Sequence, residues 1–253
     1  FKRLGRAVEE LGGAFRTAGD VGTSAADLAA MATCTQWVHE DETGLTGAVA
    51  DGLIACLRAA CDIASPSLSW PDLHATVQGC GAIGGAVARG LSASGLTLAV
   101  ADLDTEKAER TATQVGAQRL SPDAVLSRTA DILVPCALGG LITPAVANEL
   151  NVSIVCGAAN NILTSADAER ALADREITWV PDVLASAGAV VLGIARTVMG
   201  LDNPGALVSH LGQLTHEVLS EAQGHDALAS TVIAARVRER MLKAGVALDG
   251  FAG

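Results

Sequence analysis

Several things are scarce in this 253-residue sequence. It has no tyrosine, and aromatic residues make up only 2% of it. Its only lysines are Lys2, Lys107 and Lys243. No apolar run reaches the roughly 18–20 residues needed to span a bilayer. The best candidate, Ala187 to Ala195, is about half that length and is stopped by Arg196. Basic charge is short as well: 17 Lys and Arg stand against 28 Asp and Glu, for a formal charge of −11. That balance argues against nucleic acid or an anionic membrane as a partner. The six cysteines (34, 56, 61, 80, 136 and 156) show no CxxC or Cys/His metal spacing, and several lie inside apolar patterns. They are expected to be buried thiols of a reducing compartment, which points to the cytoplasm. The five histidines are scattered without HxxxH or His/carboxylate spacing, so no metal site is expected. The "HEDE" stretch at 39–42 is expected to be a solvated loop, and no G-x-S-x-G elbow suggests a hydrolase.

Half the residues are apolar, much of that alanine, which suits helices packed closely on a sheet through small side chains. At this length the chain can bury a sizeable core. From about Leu73 to about Gly200, short apolar runs alternate with amphipathic segments. Strands are expected near 75–79, 96–101, 131–135, 153–156 and 178–180. The pieces between them, such as "TEKAERTATQV" and "SADAERALADRE", carry apolar residues at helical spacing. This alternation predicts an α/β fold with a doubly wound parallel sheet. Ahead of it, "FKRLGRAVEELGG" predicts a helix stopped at Gly12–Gly13, and Thr23 or Ser24 is placed to cap a second. A third helix is expected over roughly 46–64, and two more after Pro204, over about 206–223 and 225–244.

Gly79-Cys80-Gly81-Ala82-Ile83-Gly84 fits G-x-G-x-x-G between an expected strand and an expected helix. The first glycine permits the tight turn, the second lets a pyrophosphate approach the backbone, and the third packs helix against strand. Phosphate would sit on exposed N–H groups at the positive end of the helix dipole. Asp102 ends the next strand, followed by Leu103, where a carboxylate can accept from both ribose hydroxyls of an adenosine. A 2′-phosphate there would meet Asp102 and Asp104 with no arginine close by. NAD is therefore expected over NADP, held by Gly79, Gly81, Ala82, Ile83, Gly84, Asp102 and Leu103.

Downstream, "VPCALGGLIT" (134–143), "CGAANNIL" (156–163) and "PDVLASAGAVV" (181–191) follow in that order. On the residues alone the first is also a plain strand end with a turn, and Asn160–Asn161 could simply cap or turn. Taken together with the opening "FKRLGRAVEELGGAFRTAGDVGTSAADL" and the tail "STVIAARVRERM", they resemble the glutamate/leucine/phenylalanine/valine dehydrogenases across essentially the whole chain. Leucine and phenylalanine dehydrogenases are the members it resembles most.

The resemblance implies a Rossmann domain and an amino-acid-binding domain separated by a cleft. It also implies oxidative deamination: NAD takes a hydride from the α-carbon of an amino acid, and the imine is hydrolysed to a 2-oxo acid and ammonia. A related imine could serve as substrate. Residue by residue, the resemblance assigns Cys136 and Ala137 to cofactor-ribose contacts. Ala158 and Asn161 are assigned to the loop that meets the nicotinamide ribose and the substrate, and Asp20 to the catalytic aspartate that handles protons on the amino group. By itself Asp20 is equally a turn aspartate before a capped helix. The implied assembly is a homo-oligomer, a dimer or higher.

The chain departs from the family where lysine is needed. In the family one lysine holds the substrate carboxylate, and another, in a "GGGKA"-type motif, activates the attacking water. Lys2, Lys107 and Lys243 match neither position. The family's lysines lie upstream of the segment that Phe1 opens, so an N-terminal lysine-bearing segment is expected to be missing from the sequence. The nicotinamide-amide threonine corresponds to Val49, with Thr46 one turn earlier, and the asparagine of "INAGG" corresponds to Ser186. The expected organisation is a remnant of the amino-acid-binding domain over 1–45, a Rossmann NAD-binding domain over 46–205, and C-terminal helices over 206–253 that pack back on the N-terminal segment. The alternative to an active dehydrogenase is a catalytically altered NAD-binding relative with a repurposed or regulatory role.

Overall fold

The computed structural model describes residues 1–20, 22–40 and 44–245. Asp41 and Glu42 of "HEDE", Val21 of "DVGT" and the end of the 206–253 segment lie outside the described residues. The chain opens with α1 (Lys2–Glu10), and Gly12 and Gly13 follow it with φ of +57° and +90°. Only residues without a Cβ take such angles readily, which is why the helix stops there. The second helix, α2 (Ala25–Ala32), starts at Ser24 in a capping box with Asp27, each side chain bonding the other residue's backbone N–H. A long helix, α3 (Leu45–Ala64), leads to the sheet.

Six strands follow: β1 (His74–Gln78), β2 (Thr97–Ala101), β3 (Gln118–Arg119), β4 (Ile132–Pro135), β5 (Ile154–Val155) and β6 (Thr178–Trp179). All pair in parallel, in the order β3-β2-β1-β4-β5-β6. Five of these match expected runs. The sixth, β3, carries no apolar signal because its two residues are both exposed at the sheet edge. Buried Val77, Val100, Ile132, Val134 and Ile154 show why the strands read as continuous apolar runs: helices cover both faces.

The helices between strands are α4 (Ala82–Ala93), α5 (Thr105–Val115), α6 (Pro144–Glu149) and α7 (Ala166–Asp174). After β6 come α8 (Asp182–Ala185), α9 (Gly188–Thr197), α10 (Gly205–His225) and α11 (Ala229–Lys243). Strand–helix–strand order with the first strand central produces the sheet's reversal between β1 and β4, and ligand crevices open at such a reversal, outside the strands' C-terminal ends.

The C-terminal helices divide. α10 lies against α3, close enough that a Cβ on Gly212 would stand 2.8 Å from the Ala55 carbonyl oxygen. The start of α11 is pinned to α7 instead, where the buried Glu169 carboxylate accepts from the Ser230 N–H at 3.0 Å and from its hydroxyl at 2.5 Å. That carboxylate satisfies a helix-terminal N–H that would otherwise be an orphan. Among the described residues no helix is long and apolar enough to cross a membrane.

Candidate functional site

The glycine turn is built by contact. Gly79 has φ +96°, and a Cβ there would meet the Cys136 carbonyl carbon and the Ala137 nitrogen at 2.9 Å. A Cβ on Gly84 would collide with the Gly79 carbonyl oxygen. Gly81 differs: nothing stands within 4 Å of where its Cβ would be. The two packed glycines hold the turn shut against β4 and α4, and the open one leaves its backbone approachable. Gly81 is also the N-cap of α4, which has no side-chain cap and no acid in its first turn. Unsatisfied N–H groups at such a helix start suit a phosphate.

At the end of β2, the Asp102 carboxylate accepts the Cys80 N–H at 2.6 Å and the Asp104 N–H at 2.8 Å. It thus ties the glycine turn to the β2–α5 loop. An ionised carboxylate has about four acceptor sites, so roughly two remain for ribose hydroxyls. Asp104 caps α5 through the Glu106 and Lys107 N–H groups, and Lys107 Nζ lies 3.5 Å away. Those amides, the Lys107 one first, and the ammonium hold its carboxyl below the usual carboxylate range. Leu103 between the two acids is 88% exposed.

Arg89 of α4 and Arg110 of α5, with Lys107, line a recess of about 280 Å³ that also touches Cys80, Gly81 and Ala82. Neighbouring helices bring together residues that are far apart in the chain, which linear spacing does not reveal. Two of the three cations already face carboxylates, Lys107 that of Asp104 and Arg110 that of Glu106 at 3.6 Å.

Across the reversal, loops from three strands are braced together. The Cys136 N–H donates to the Gln78 carbonyl at 2.7 Å, which places Cys136 and exposed Ala137 beside the glycine turn. The Gly140 N–H donates to the Asn161 carbonyl at 2.7 Å, and Ile142 bridges Leu163. The Asn161 N–H donates to Asp182 Oδ2 at 2.5 Å, and the Ser186 hydroxyl to Asn160 Oδ1 at 3.4 Å. Ala158 is half-buried at the foot of this turn, whereas Asn160 and Asn161 are exposed. Asn161 is an expected member of this site, and Asp182 is one that the sequence pattern does not single out. The available signal was a carboxylate directly after the "TWVP" strand end.

Asp20 belongs to a different part of the molecule, the exposed turn ahead of α2, where its N–H donates to Thr23 Oγ1 at 3.2 Å. Val49 is buried in α3, against Gly188 of α9, and presents no hydroxyl. Lys2 lies on exposed α1, and Lys243 pairs with Glu239 at 2.5 Å at the end of α11. Burial pushes the Cys136 thiol up to about 12 and raises that of Cys80. The thiols nearest the turn are therefore neutral at physiological pH and serve as walls of the site, not as thiolate nucleophiles. Among the described residues no group of three or more His, Cys, Asp or Glu could hold a metal ion.

A doubly wound α/β fold with this turn defines a Rossmann-type protein. Residues 97–198 match the family model described as glutamate/leucine/phenylalanine/valine dehydrogenase. Leucine dehydrogenase from Thermoactinomyces intermedius is 29% identical over 220 residues, covering 82% of this chain and 58% of that protein. Valine dehydrogenase from Streptomyces virginiae is 33% identical over 208 residues, covering 79% of this chain and 58% of that protein. The crystal structure of L-tryptophan dehydrogenase from Nostoc punctiforme superposes with a TM-score of 0.84 at 26% identity, covering 96% of this chain and 71% of that one. The chain belongs to the glutamate/leucine/phenylalanine/valine dehydrogenase family. It spans 58% of the length of the leucine and valine dehydrogenases named here.

Proposed function

We propose that the chain binds NAD across the C-terminal edge of its sheet and takes part in the oxidative deamination of an amino acid, or the oxidation of a related imine, to which its relatives' names point. The observation that carries this is the adenosine half of the site: an approachable Gly81, an uncapped α4, and an Asp102 carboxylate already oriented by two backbone N–H groups. Gly79 to Gly84 would hold the pyrophosphate, and Asp102 the adenosine ribose, with Leu103 alongside. Cys136 and Ala137 would border the cofactor ribose, and Ala158 and Asn161 the nicotinamide ribose and substrate. Asp20 would take the proton from the amino group. NAD, when bound, supplies the hydride acceptor. Two acids at the end of β2, with Lys107 and Arg110 paired to neighbouring carboxylates, favour a ribose that carries no 2′-phosphate.

A second proposal, that of an NAD-binding relative with altered chemistry, is favoured by the positions of the lysines. Lys107 lies with Asp104 on the adenosine side and Lys243 with Glu239 on α11, so neither stands where an imine would form. Two measurements separate the readings. NADH binding is followed by fluorescence, and NADH formation from leucine, valine and phenylalanine at alkaline pH. Both are made on residues 1–253 and on any longer form of the protein that carries a glycine-rich lysine segment. Binding with turnover in either form supports the dehydrogenase reading. Binding without turnover in both supports the altered relative. No NADH binding would refute the cofactor assignment itself.

A further inference from the structure

The Asn160–Asn161 turn is the least self-supporting part of the strand-end surface. β5, which precedes it, is two residues long. Asn161 has φ +52°, a left-handed conformation that L side chains other than glycine adopt reluctantly, though asparagine least so. Backbone held in such a region persists only where surrounding contacts impose it. Three contacts do so here: the Gly140 N–H on the Asn161 carbonyl, the Ser186 hydroxyl on Asn160 Oδ1, and Asp182 Oδ2 on the Asn161 N–H. Only the last involves a charged group, and charge-assisted bonds of this kind are about twice as strong as neutral ones.

The Asp182 carboxylate has an alternative it does not take. It opens α8, where an aspartate ordinarily accepts from its own first-turn N–H groups. The N-cap of α8 is Pro181, with no side-chain cap bond, and Asp182 reaches back across 21 positions to Asn161. Ser186, one turn later, gives its single O–H chiefly to the Asp182 carbonyl at 2.7 Å, and Asn160 Oδ1 at 3.4 Å is a weaker, shared contact. The start of α8 is thus a brace for the β5 turn.

We infer that Asp182 is a positioning residue whose carboxylate holds the Asn161 backbone in the conformation that the nicotinamide-ribose half of the dinucleotide site requires. The inference rests on the cofactor assignment made above. Without the carboxylate the turn relaxes toward commoner backbone angles, the competent fraction falls, and apparent affinity falls in the same proportion. The adenosine half, built on other elements, stays as it is.

The test uses the full chain, NADH and ADP, with Asp182→Ala and Asp182→Asn. ADP reports the turn and Asp102 only, whereas NADH also reports the Asn161 loop. In Asp182→Ala, NADH affinity is expected to fall about tenfold, as for loss of one charge-assisted hydrogen bond, while ADP affinity stays at the wild-type value. Asp182→Asn, whose amide oxygen still accepts, should lose less. NADH affinity unchanged in Asp182→Ala would overturn the inference. So would a parallel fall in ADP and NADH, which would mark Asp182 as a support of the whole fold. A wild-type chain that bound neither nucleotide would refute the cofactor assignment, and this inference with it.

Discussion

The two halves of the strand-end crevice are made in different ways. The half proposed for adenosine comes from one contiguous stretch, β1–α4–β2, whose five-residue strands run in register with each other. Its parts are backbone: two glycines packed against carbonyls and amides, one glycine left open, and an acid fixed by two N–H groups. The other half is assembled from the ends of β4, β5 and β6, two of them only two residues long, and depends on Asp182 and Ser186 reaching across to Asn160 and Asn161. A site made of local backbone tolerates drift in its surroundings. A site made of side chains on separate loops is retuned by single substitutions, and the departure from the family pattern at Ser186 falls in that half.

The comparison breaks most visibly at turnover. In any form of the protein that oxidises an amino acid, Asp20→Asn should lower kcat by about 10²–10⁴-fold, the range for removing a general acid–base group. NADH affinity, measured by fluorescence, should not move. A loss of NADH binding instead would transfer Asp20 from proton transfer to the architecture of the cleft. On the adenosine side the corresponding blow is Gly84→Ala. Its methyl runs into the Gly79 carbonyl oxygen, so the domain should lose on the order of 1–3 kcal/mol in a denaturant titration, with ADP and NADH affinities falling together. Gly81→Ala sharpens the contrast. Its methyl enters open space, so stability should stay within about 0.5 kcal/mol, and only nucleotide affinity should drop.

Asp102→Ala should cost NADH about tenfold in affinity and narrow the margin over NADPH, read by titrating both reduced cofactors. Arg89 makes this prediction sharper: because the recess beside Gly81 is lined by cations, Arg89→Ala should weaken whatever NADPH binding exists and leave NADH where it was. Equal affinity of the unmutated chain for both cofactors would show that the recess outweighs the acids.

A further effect is in the pH dependence of the buried thiols on α3. Burial raises Cys56 to about 11 and Cys61 to about 12 from an ordinary 9.0. A raised folded-state value leaves stability flat below pH 9, where both states keep the proton. Stability should then fall as pH rises from about 9 toward 11–12, because the unfolded chain ionises first. A melting temperature indifferent to pH between 9 and 11, in a chain that remains folded, would contradict this. At pH 8 these thiols should resist alkylation until the protein unfolds.

How much could be foreseen follows the same division. The turn, Asp102 and five of the six strands were visible because each is a local pattern: glycines at fixed offsets, apolar runs, an acid at a strand end. A cap at Thr23 or Ser24 was visible because both stand just ahead of the expected helix, and the structure selects Ser24, whose capping-box partner is Asp27. Strand β3 was not, since Gln118 and Arg119 are exposed and carry no period-two pattern. The cationic recess was not, because Arg89 and Arg110 meet only when α4 and α5 lie side by side. Asp182 went unnoticed because a carboxylate at a helix start has an ordinary local use.

By itself the sequence determined an alternating α/β chain, a dinucleotide-type turn in a complete strand–turn–helix–strand–acid unit, and a resemblance to one dehydrogenase family. Each is carried by neighbours in the chain, where hydrogen bonds and steric limits act over a few residues. Tertiary structure alone decided that β4 lies beside β1 and so sets the Cys136–Ala137 backbone against Gly79. It alone decided that the β5 turn is held by the start of α8, and that α11 is anchored by a buried glutamate on α7. Those are contacts between segments far apart in the chain. Their geometry is set by how helices and strands stack, and no local pattern of residues encodes it.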